Sequence, residues 1–266
     1  MSEEVRPRLA STVLMLRDGA RGLEVLMVTR NLAVEFASGA LVFPGGRIDP
    51  GDSGFVDRCR PFSGSDDRSL VLRVAGIRET YEEAGILLAR RPGADTLLTG
   101  EELAALEAAL QKELGRKATF PDLAASGRVE LATDLMVPFA HWVTPVGLPK
   151  RYDTHFFLAP APPGQAVSHD GFEAVETKWI SPQEALAAAE SGRATIVFAT
   201  RLNLMKLGAH DSVAAALAAA RTGRIVTVCP EIADGPSGTI LRIPAEAGYG
   251  ISEAPLDRSL MTRPAR

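Results

Sequence analysis

The sequence predicts an α/β fold in which helices cover a sheet. Three observations carry that expectation. Short β-prone apolar runs alternate with longer stretches whose apolar residues recur at helical spacing. Gly- and Pro-rich turns punctuate the alternation. The chain has 266 residues, of which 46% are apolar and 23% charged, which suits one elaborated domain with a substantial core.

The elements follow in chain order. Thr12–Leu16 and Leu23–Thr29 read as a hairpin around the turn Arg17–Gly22. Ala40–Phe43 is a short strand stopped by Pro44-Gly45-Gly46. Pro50–Asp67 is rich in Gly, Pro, Asp and Ser and reads as an irregular insertion outside the core. Arg68–Ala84 is helical, with Gly85 as its C-terminal stop. Glu101–Leu114 is a second helix. Met136–Trp142, Thr154–Leu158 and Ala174–Ile180 read as strands. Ser181-Pro182 caps a helix that runs to Glu190. Helices over Ile196–Lys206 and Ser212–Arg221 and strands over Ile225–Cys229 and Thr239–Ile243 follow, with a loose tail after Ala254.

Composition excludes several classes. The formal net charge of −4 leaves no footprint for nucleic acid or an anionic membrane. An anionic substrate would need local positive charge or a metal. The two cysteines, Cys59 and Cys229, match no zinc-ligand spacing and no disulfide framework. Met1–Leu9 lacks the apolar centre of a signal peptide, and the apolar runs are too short to span a bilayer. A cytoplasmic location is therefore the default expectation.

The chemistry concentrates between Phe43 and Ile86. On a helix, Glu79, Glu82 and Glu83 share an arc of about 100°. Leu70, Val74, Ile77 and Tyr81 form an apolar stripe roughly opposite, so one face can pack on a sheet while the acids gather on the other. Ala75 and Gly76 lie near the carboxylate face and leave room for a loop or ligand. Three adjacent carboxylates repel one another, and an oxygen-only cluster of this density suits Mg²⁺ or Mn²⁺. The Gly45-Gly46 pair lets the backbone turn sharply and approach a phosphate or metal. A Glu-x-x-Glu-Glu cluster alone is usually a solvated helix face, and a Gly-Gly pair after proline is usually a turn. Their joint appearance in this order is the informative feature.

With these residues the stretch resembles the Nudix box. Gly46 matches its first glycine, Arg78 and Glu79 its Arg-Glu pair, and Glu82, Glu83, Gly85 and Ile86 the remainder. Asp52 stands where the family has Glu, and Thr80 where it has an apolar residue. Twenty-five residues separate Asp52 from Arg78 instead of seven, an 18-residue insertion. A split box of this kind looks like the peroxisomal-type coenzyme A diphosphatases and their bacterial relatives. Upstream, Leu26–Arg30, Gly39 and Phe43–Gly46 look like the coenzyme A-associated pattern, with Glu35 where that pattern has a second Arg. Downstream, Glu176–Pro182 resembles the late family strand leading into a helix.

The resemblance implies a Nudix α/β/α sandwich with a mixed sheet over 1–190, interrupted by the insertion at about 50–67. A C-terminal extension over 191–266 would pack on the same domain. It implies a metal-dependent diphosphatase. Glu79, Glu82 and Glu83 would be the metal ligands, Arg78 would orient a box glutamate, and Gly45 and Gly46 would shape the loop around metal and phosphate. The implied substrate is coenzyme A or acyl-CoA. NADH, ADP-ribose or another nucleoside diphosphate derivative is the alternative.

Arg30 and Arg151 are the candidates for clamping substrate phosphates. The ordinary reading of Arg30 is a surface residue at a strand end. The general base is open among His169, Glu173, Glu176 and a box glutamate. His155 reads as a hydrogen-bonded structural histidine, and Tyr152 and Phe156 as core. The rivals are a non-catalytic module that senses a nucleotide derivative and an isomerase on the same fold, which would need a cysteine–glutamate pair. Assembly is open between monomer and homodimer.

Overall fold

The structure is a computed structural model that describes residues 5–31, 39–168, 174–236 and 238–256. In chain order it runs β1 (Arg8–Gly19), β2 (Gly22–Arg30), β3 (Leu41–Val42), β4 (Gly45–Arg47), α1 (Asp67–Ala84), β5 (Ala89–Arg90), α2 (Gly100–Leu114) and α3 (Phe120–Ala125). There follow β6 (Glu130–Leu131), β7 (Val137–Val143), β8 (Tyr152–Pro160), β9 (Ala174–Ile180), α4 (Pro182–Glu190), α5 (Phe198–Leu207) and α6 (Val213–Thr222). The chain ends in β10 (Thr227–Val228), β11 (Glu231–Gly235), β12 (Gly238–Arg242) and β13 (Glu253–Pro255).

The main sheet has eight strands in the order β10-β7-β8-β1-β2-β3, with β4 added on β1 and β9 on β2. The β1–β8 and β7–β10 pairs are parallel and the others antiparallel, so the sheet is mixed. Both faces are covered, which explains why Val13–Leu16 is continuously apolar rather than alternating. Val13 and Met15 enter a first core with residues of α1, α2 and α3. Leu14 and Leu16 enter a second core with residues of α4, α5 and α6. This is the expected α/β/α sandwich.

Helix α1 is defined at both ends. Asp66 accepts from the Ser69 N–H at 2.8 Å, and the Ser69 hydroxyl accepts from the Asp66 N–H at 3.0 Å. Gly85 closes the helix at φ 71°, its N–H donating to the Tyr81 carbonyl at 2.8 Å. Leu70, Val74, Ile77 and Tyr81 face the first core, as their spacing predicts. Gly76 has a different role from the one its position suggested. A Cβ there would lie 2.8 Å from Ser11 Oγ and 2.9 Å from Val13 Cγ2. Strand β1, and not a ligand, occupies the room that Gly76 leaves, so the glycine sets how closely the helix seats on the sheet.

The segment after Pro50 departs from the sequence reading. Pro50–Arg58 forms a 3₁₀ helix rather than irregular chain. Phe55, Val56 and Phe62 pack against the first core instead of lying outside it. The Phe55 ring meets Phe120 edge-on at 5.7 Å, and the Arg73 guanidinium lies between Phe62 (4.1 Å) and Phe157 (4.7 Å). A 3₁₀ helix carries no 3.6-residue period, so Gly, Pro and Asp masked an ordered element.

Beyond Glu190 the chain remains part of the same structure. Leu204, Leu207, Leu217 and Val228 are buried in the second core. The Tyr249 hydroxyl donates to Asn203 Oδ1 at 2.8 Å and accepts from Trp142 Nε1 at 2.9 Å, which ties the late chain to β7. The chain from 257 onward, including most of the tail read as loose, lies outside the described residues. Among the described residues no helix is long and apolar enough to cross a membrane.

Candidate active site

The site is built where α1 crosses β4. Strand β4 pairs antiparallel with β1, Gly46 opposite Ser11 and Gly45 opposite Thr12. The Gly45 N–H donates to Glu83 Oε2 at 3.0 Å. A Cβ on Gly46 would lie 2.5 Å from the Glu79 carboxyl carbon, and one on Gly45 would lie 2.6 Å from the Ser11 carbonyl oxygen. Both glycines are therefore required by close approach, one to a carboxylate and one to a strand.

Arg78 locks the carboxylates to this loop. Its Nε and Nη2 donate to the two oxygens of Asp52 at 2.7 and 3.1 Å. Its Nη1 donates to Glu79 Oε1 at 2.8 Å and to Glu82 Oε2 at 3.0 Å, and Nη2 also reaches the Arg47 carbonyl at 2.9 Å. Burial alone would lower the Arg78 pKa. The hydrogen bonds and charges of Asp52 and Glu79 outweigh it and hold the guanidinium well above its ordinary value.

Asp52 is 1% exposed, and besides Arg78 it accepts from the Asp49 N–H at 2.8 Å. The shorter side chain thus reaches Arg78 because the 3₁₀ helix delivers it there. Thr80 keeps the buried position of the apolar residue it replaces by donating its hydroxyl to the Gly76 carbonyl at 2.7 Å.

A cleft of about 2430 Å³ opens over these residues, lined by Gly45, Gly46, Arg78, Glu79, Glu82 and Glu83. Arg8, Arg30, Arg47, Lys117, Lys150 and Arg201 also line it, in a chain whose net charge is negative. Trp142, Tyr152, Phe156 and Phe198 add an aromatic wall; Phe156 also belongs to the second core, as expected, while Tyr152 does not. Phe156 is buried and Tyr152 half-buried.

Arg151 stands apart from the cleft-lining residues. It is 6% exposed, with Nε donating to the Thr144 carbonyl at 3.1 Å and Nη1 to the Val5 carbonyl at 2.9 Å. The neighbouring Lys150 and Tyr152 line the cleft instead.

The general-base candidates separate. His169 and Glu173 lie outside the described residues, as does Glu35. Glu176, on β9, accepts from Thr29 Oγ1 at 3.2 Å and from Lys178 Nζ at 3.1 Å. The loop that leads to them starts beside α1. Ser168 donates its N–H to the Ala84 carbonyl at 3.0 Å, and its Oγ would lie 2.3 Å from a Cβ on Gly85.

The donor set tests which cation fits. Three carboxylates and a backbone that approaches without a Cβ suit a hard, oxygen-seeking ion. In this structure Glu79 and Glu82 turn to Arg78 while Glu83 turns to Gly45.

A different cluster has its ligand atoms already gathered. His141, Asp153 and His155 lie with ligand atoms within 4.8 Å of one another, a group able to hold a divalent cation. Burial, and then the His141 ring, push the His155 imidazole down to about 4 against the pull of Asp153. Asp153 and His155 are two apart on one strand and so share a face. Their meeting with His141 depends on the β7–β8 register, which sequence spacing does not reveal.

Comparisons with known proteins agree with the geometry. The family model described as the NUDT19 Nudix domain matches residues 55–197, a little over half of the chain. A putative nudix hydrolase 7 of Caenorhabditis elegans is 26% identical over 169 residues, 64% of this chain and 50% of that protein. The acyl-coenzyme A diphosphatase NUDT19 of Gallus gallus is 29% identical over 214 residues, 61% of this chain and 55% of that protein. The chain thus spans about half the length of these curated relatives. Among solved structures, a NUDIX hydrolase from Alicyclobacillus acidocaldarius superposes with a TM-score of 0.66 at 29% identity, covering 83% of this chain and 99% of the other.

Proposed function

We propose, from the premise that this chain belongs to the Nudix family, that it is a divalent-cation-dependent hydrolase of the diphosphate linkage in coenzyme A or an acyl-CoA. The observation that carries the hydrolase reading is the approach of Glu79 and Glu83 to Gly46 and Gly45, where a Cβ on Gly46 would displace the Glu79 carboxylate and one on Gly45 would meet the backbone of β1. Such a cradle brings backbone N–H groups and carboxylates to one point, the arrangement a diphosphate and its counter-ion need.

A Mg²⁺ or Mn²⁺ ion held by Glu79, Glu82 and Glu83 would neutralise phosphate oxygens and make water a stronger nucleophile. The chain's own residues position the reaction. Arg78 ties helix, loop and 3₁₀ segment into one unit, so the carboxylates start from a fixed geometry. Gly45 orients Glu83 through its N–H. The cleft cations, Arg30, Arg8 and Lys150 among them, hold phosphate groups away from the carboxylates. Water reaches the diphosphate phosphorus, and the bridging oxygen leaves with one of the two phosphates.

Two features support the coenzyme A reading. The matched relatives include proteins called acyl-coenzyme A diphosphatases. The cleft also joins several cations to an aromatic wall, which suits a substrate with a diphosphate, a further phosphate and a long less polar arm. NADH and ADP-ribose share the diphosphate but lack that combination.

The test is kcat/KM for coenzyme A, an acyl-CoA, NADH and ADP-ribose under identical Mg²⁺ or Mn²⁺ conditions, with products identified. The expected pair is 4′-phosphopantetheine, or its acyl form, and 3′,5′-ADP. A tenfold preference for NADH or ADP-ribose overturns the coenzyme A assignment and leaves the wider diphosphatase. Absence of metal-dependent cleavage of any such substrate overturns the hydrolase itself.

A further inference from the structure

Strands β7 and β8 pair antiparallel with His141 directly opposite His155 and Val143 opposite Asp153. The two imidazole rings stack at 4.2 Å between centroids, 21° from parallel. His141 Nε2 lies 2.5 Å from Asp153 Oδ1, and His155 Nε2 lies 3.8 Å from the same oxygen. The other nitrogen of His141, Nδ1, is 2.8 Å from Thr227 Oγ1 on β10, the parallel neighbour of β7.

Hydrogen bonding accounts for His141 but not for its partner. His155 Nε2 is buried and has no hydrogen-bond partner. A structural histidine, the ordinary reading of this residue, satisfies its buried ring nitrogens, because an unmade hydrogen bond there is costly. The unpartnered atom belongs to a group whose three ligand atoms lie within 4.8 Å of one another. Three donors on a zinc-sized ion at roughly 2.0–2.2 Å lie roughly 3–3.6 Å apart in tetrahedral geometry. The trio therefore lies close to the separations of a shared ion, and rotation of the two stacked rings toward each other would turn their lone pairs onto it.

We propose that His141, Asp153 and His155 form a second cation site, separate from the carboxylates of α1, for a borderline first-row divalent ion of the zinc class. Two imidazoles and one carboxylate select such ions over Mg²⁺ and Ca²⁺, which prefer oxygen alone. With an ion bound, Thr227 Oγ1 would accept the Nδ1 proton of His141, and the Nε2 proton now shared with Asp153 would be displaced so that its lone pair meets the ion. Both strands and, through Thr227, the C-terminal extension meet at this point, so the bound ion fastens β10 to the sheet.

The test uses the full chain, freed of metal by chelation and kept in excess Mg²⁺ so that the carboxylates of α1 are occupied. Co²⁺ is titrated in and visible absorption is read. The expected result is one equivalent of Co²⁺ with bands several times stronger than those of the aquo ion, bleached one-for-one by Zn²⁺. The bands should vanish in His141→Ala and His155→Ala and persist in Glu83→Gln. Thr227→Val keeps all three ligands and should weaken Co²⁺ binding about tenfold. Loss of the bands in Glu83→Gln with retention in His155→Ala would put the ion at the carboxylates and overturn the proposal. Where an alanine variant fails to fold, Cu²⁺ bound to the wild-type chain reads the ligands directly. Nitrogen couplings from two imidazoles in its electron paramagnetic resonance spectrum support the site, and an oxygen-only signature rules it out.

Discussion

Among the described residues, two clusters of potential cation ligands are assembled in opposite ways. The carboxylates of α1 come from five consecutive residues on one helix, and a glycine loop and Arg78 hold them in place. The His141–Asp153–His155 group comes from two strands and is brought together by their register alone. The first is all oxygen, opens to a cleft lined by cations, and spends its idle valences on an arginine. The second is mostly nitrogen and leaves a buried ring nitrogen unsatisfied. On the two proposed readings, the contrast separates a centre that exchanges a charged ligand from one that keeps an ion.

Perturbing the arginine should separate them most. Arg78→Ala strands Asp52, 1% exposed, without its bidentate partner. Breaking a buried pair in this way costs about 3 kcal/mol, to be read from urea unfolding, while Co²⁺ binding per folded molecule should be unchanged. Arg78→Lys should recover only part of the stability, because an ammonium cannot fork across Asp52 and reach Glu79. Wild-type stability in Arg78→Ala would mean that the box is not held by this residue.

Gly46→Ala probes the cradle without removing a charge. Its Cβ would displace the Glu79 carboxylate by contact at 2.5 Å. On the proposed hydrolase reading, kcat should fall by about a hundredfold, the effect of misplacing a reacting group by an ångström. An unaltered kcat would show that Glu79 has room to spare. A smaller effect is expected at Phe62→Ala, which removes one side of the Arg73 stack. It should cost about 1–2 kcal/mol, measured by chemical denaturation, with the midpoint lowered and the slope unchanged. No loss would return the segment after Pro50 to the status of a dispensable loop.

The smallest effect concerns Cys59. Burial pushes its thiol up to about 12, so little thiolate exists at neutral pH. Half-exposed Cys229 should react with a thiol reagent at pH 8 well before Cys59 does. Equal rates would mean that the 3₁₀ segment opens readily.

The same contrast explains what was legible in the sequence. Helix α1, its Gly85 stop and its apolar stripe are local, and local periodicity displays them. The carboxylate arc follows from the helix step alone. The loop–helix contact was legible only as a resemblance, because nothing local says that Gly46 touches Glu79. Register was not legible at all. His141 carried no signal by itself, and His155 read as a hydrogen-bonded structural histidine. Arg151 looked like a phosphate clamp because a guanidinium group can grip phosphate oxygens, yet it is buried on the Thr144 and Val5 carbonyls while Lys150 and Tyr152 line the cleft. The 3₁₀ helix after Pro50 hid behind turn-forming residues, although burying Asp52 is what brings its short side chain to Arg78.

On the proposed reading, hydrolysis belongs to the carboxylates of α1. The most direct measurement is kcat of Glu83→Gln at saturating Mg²⁺ on the preferred diphosphate substrate, with the melting temperature recorded beside it. Gln keeps an acceptor for the Gly45 N–H but removes the charge. The expected result is a loss of at least about a hundredfold with little change in melting temperature and the Co²⁺ bands intact. Turnover near that of the wild type would contradict it.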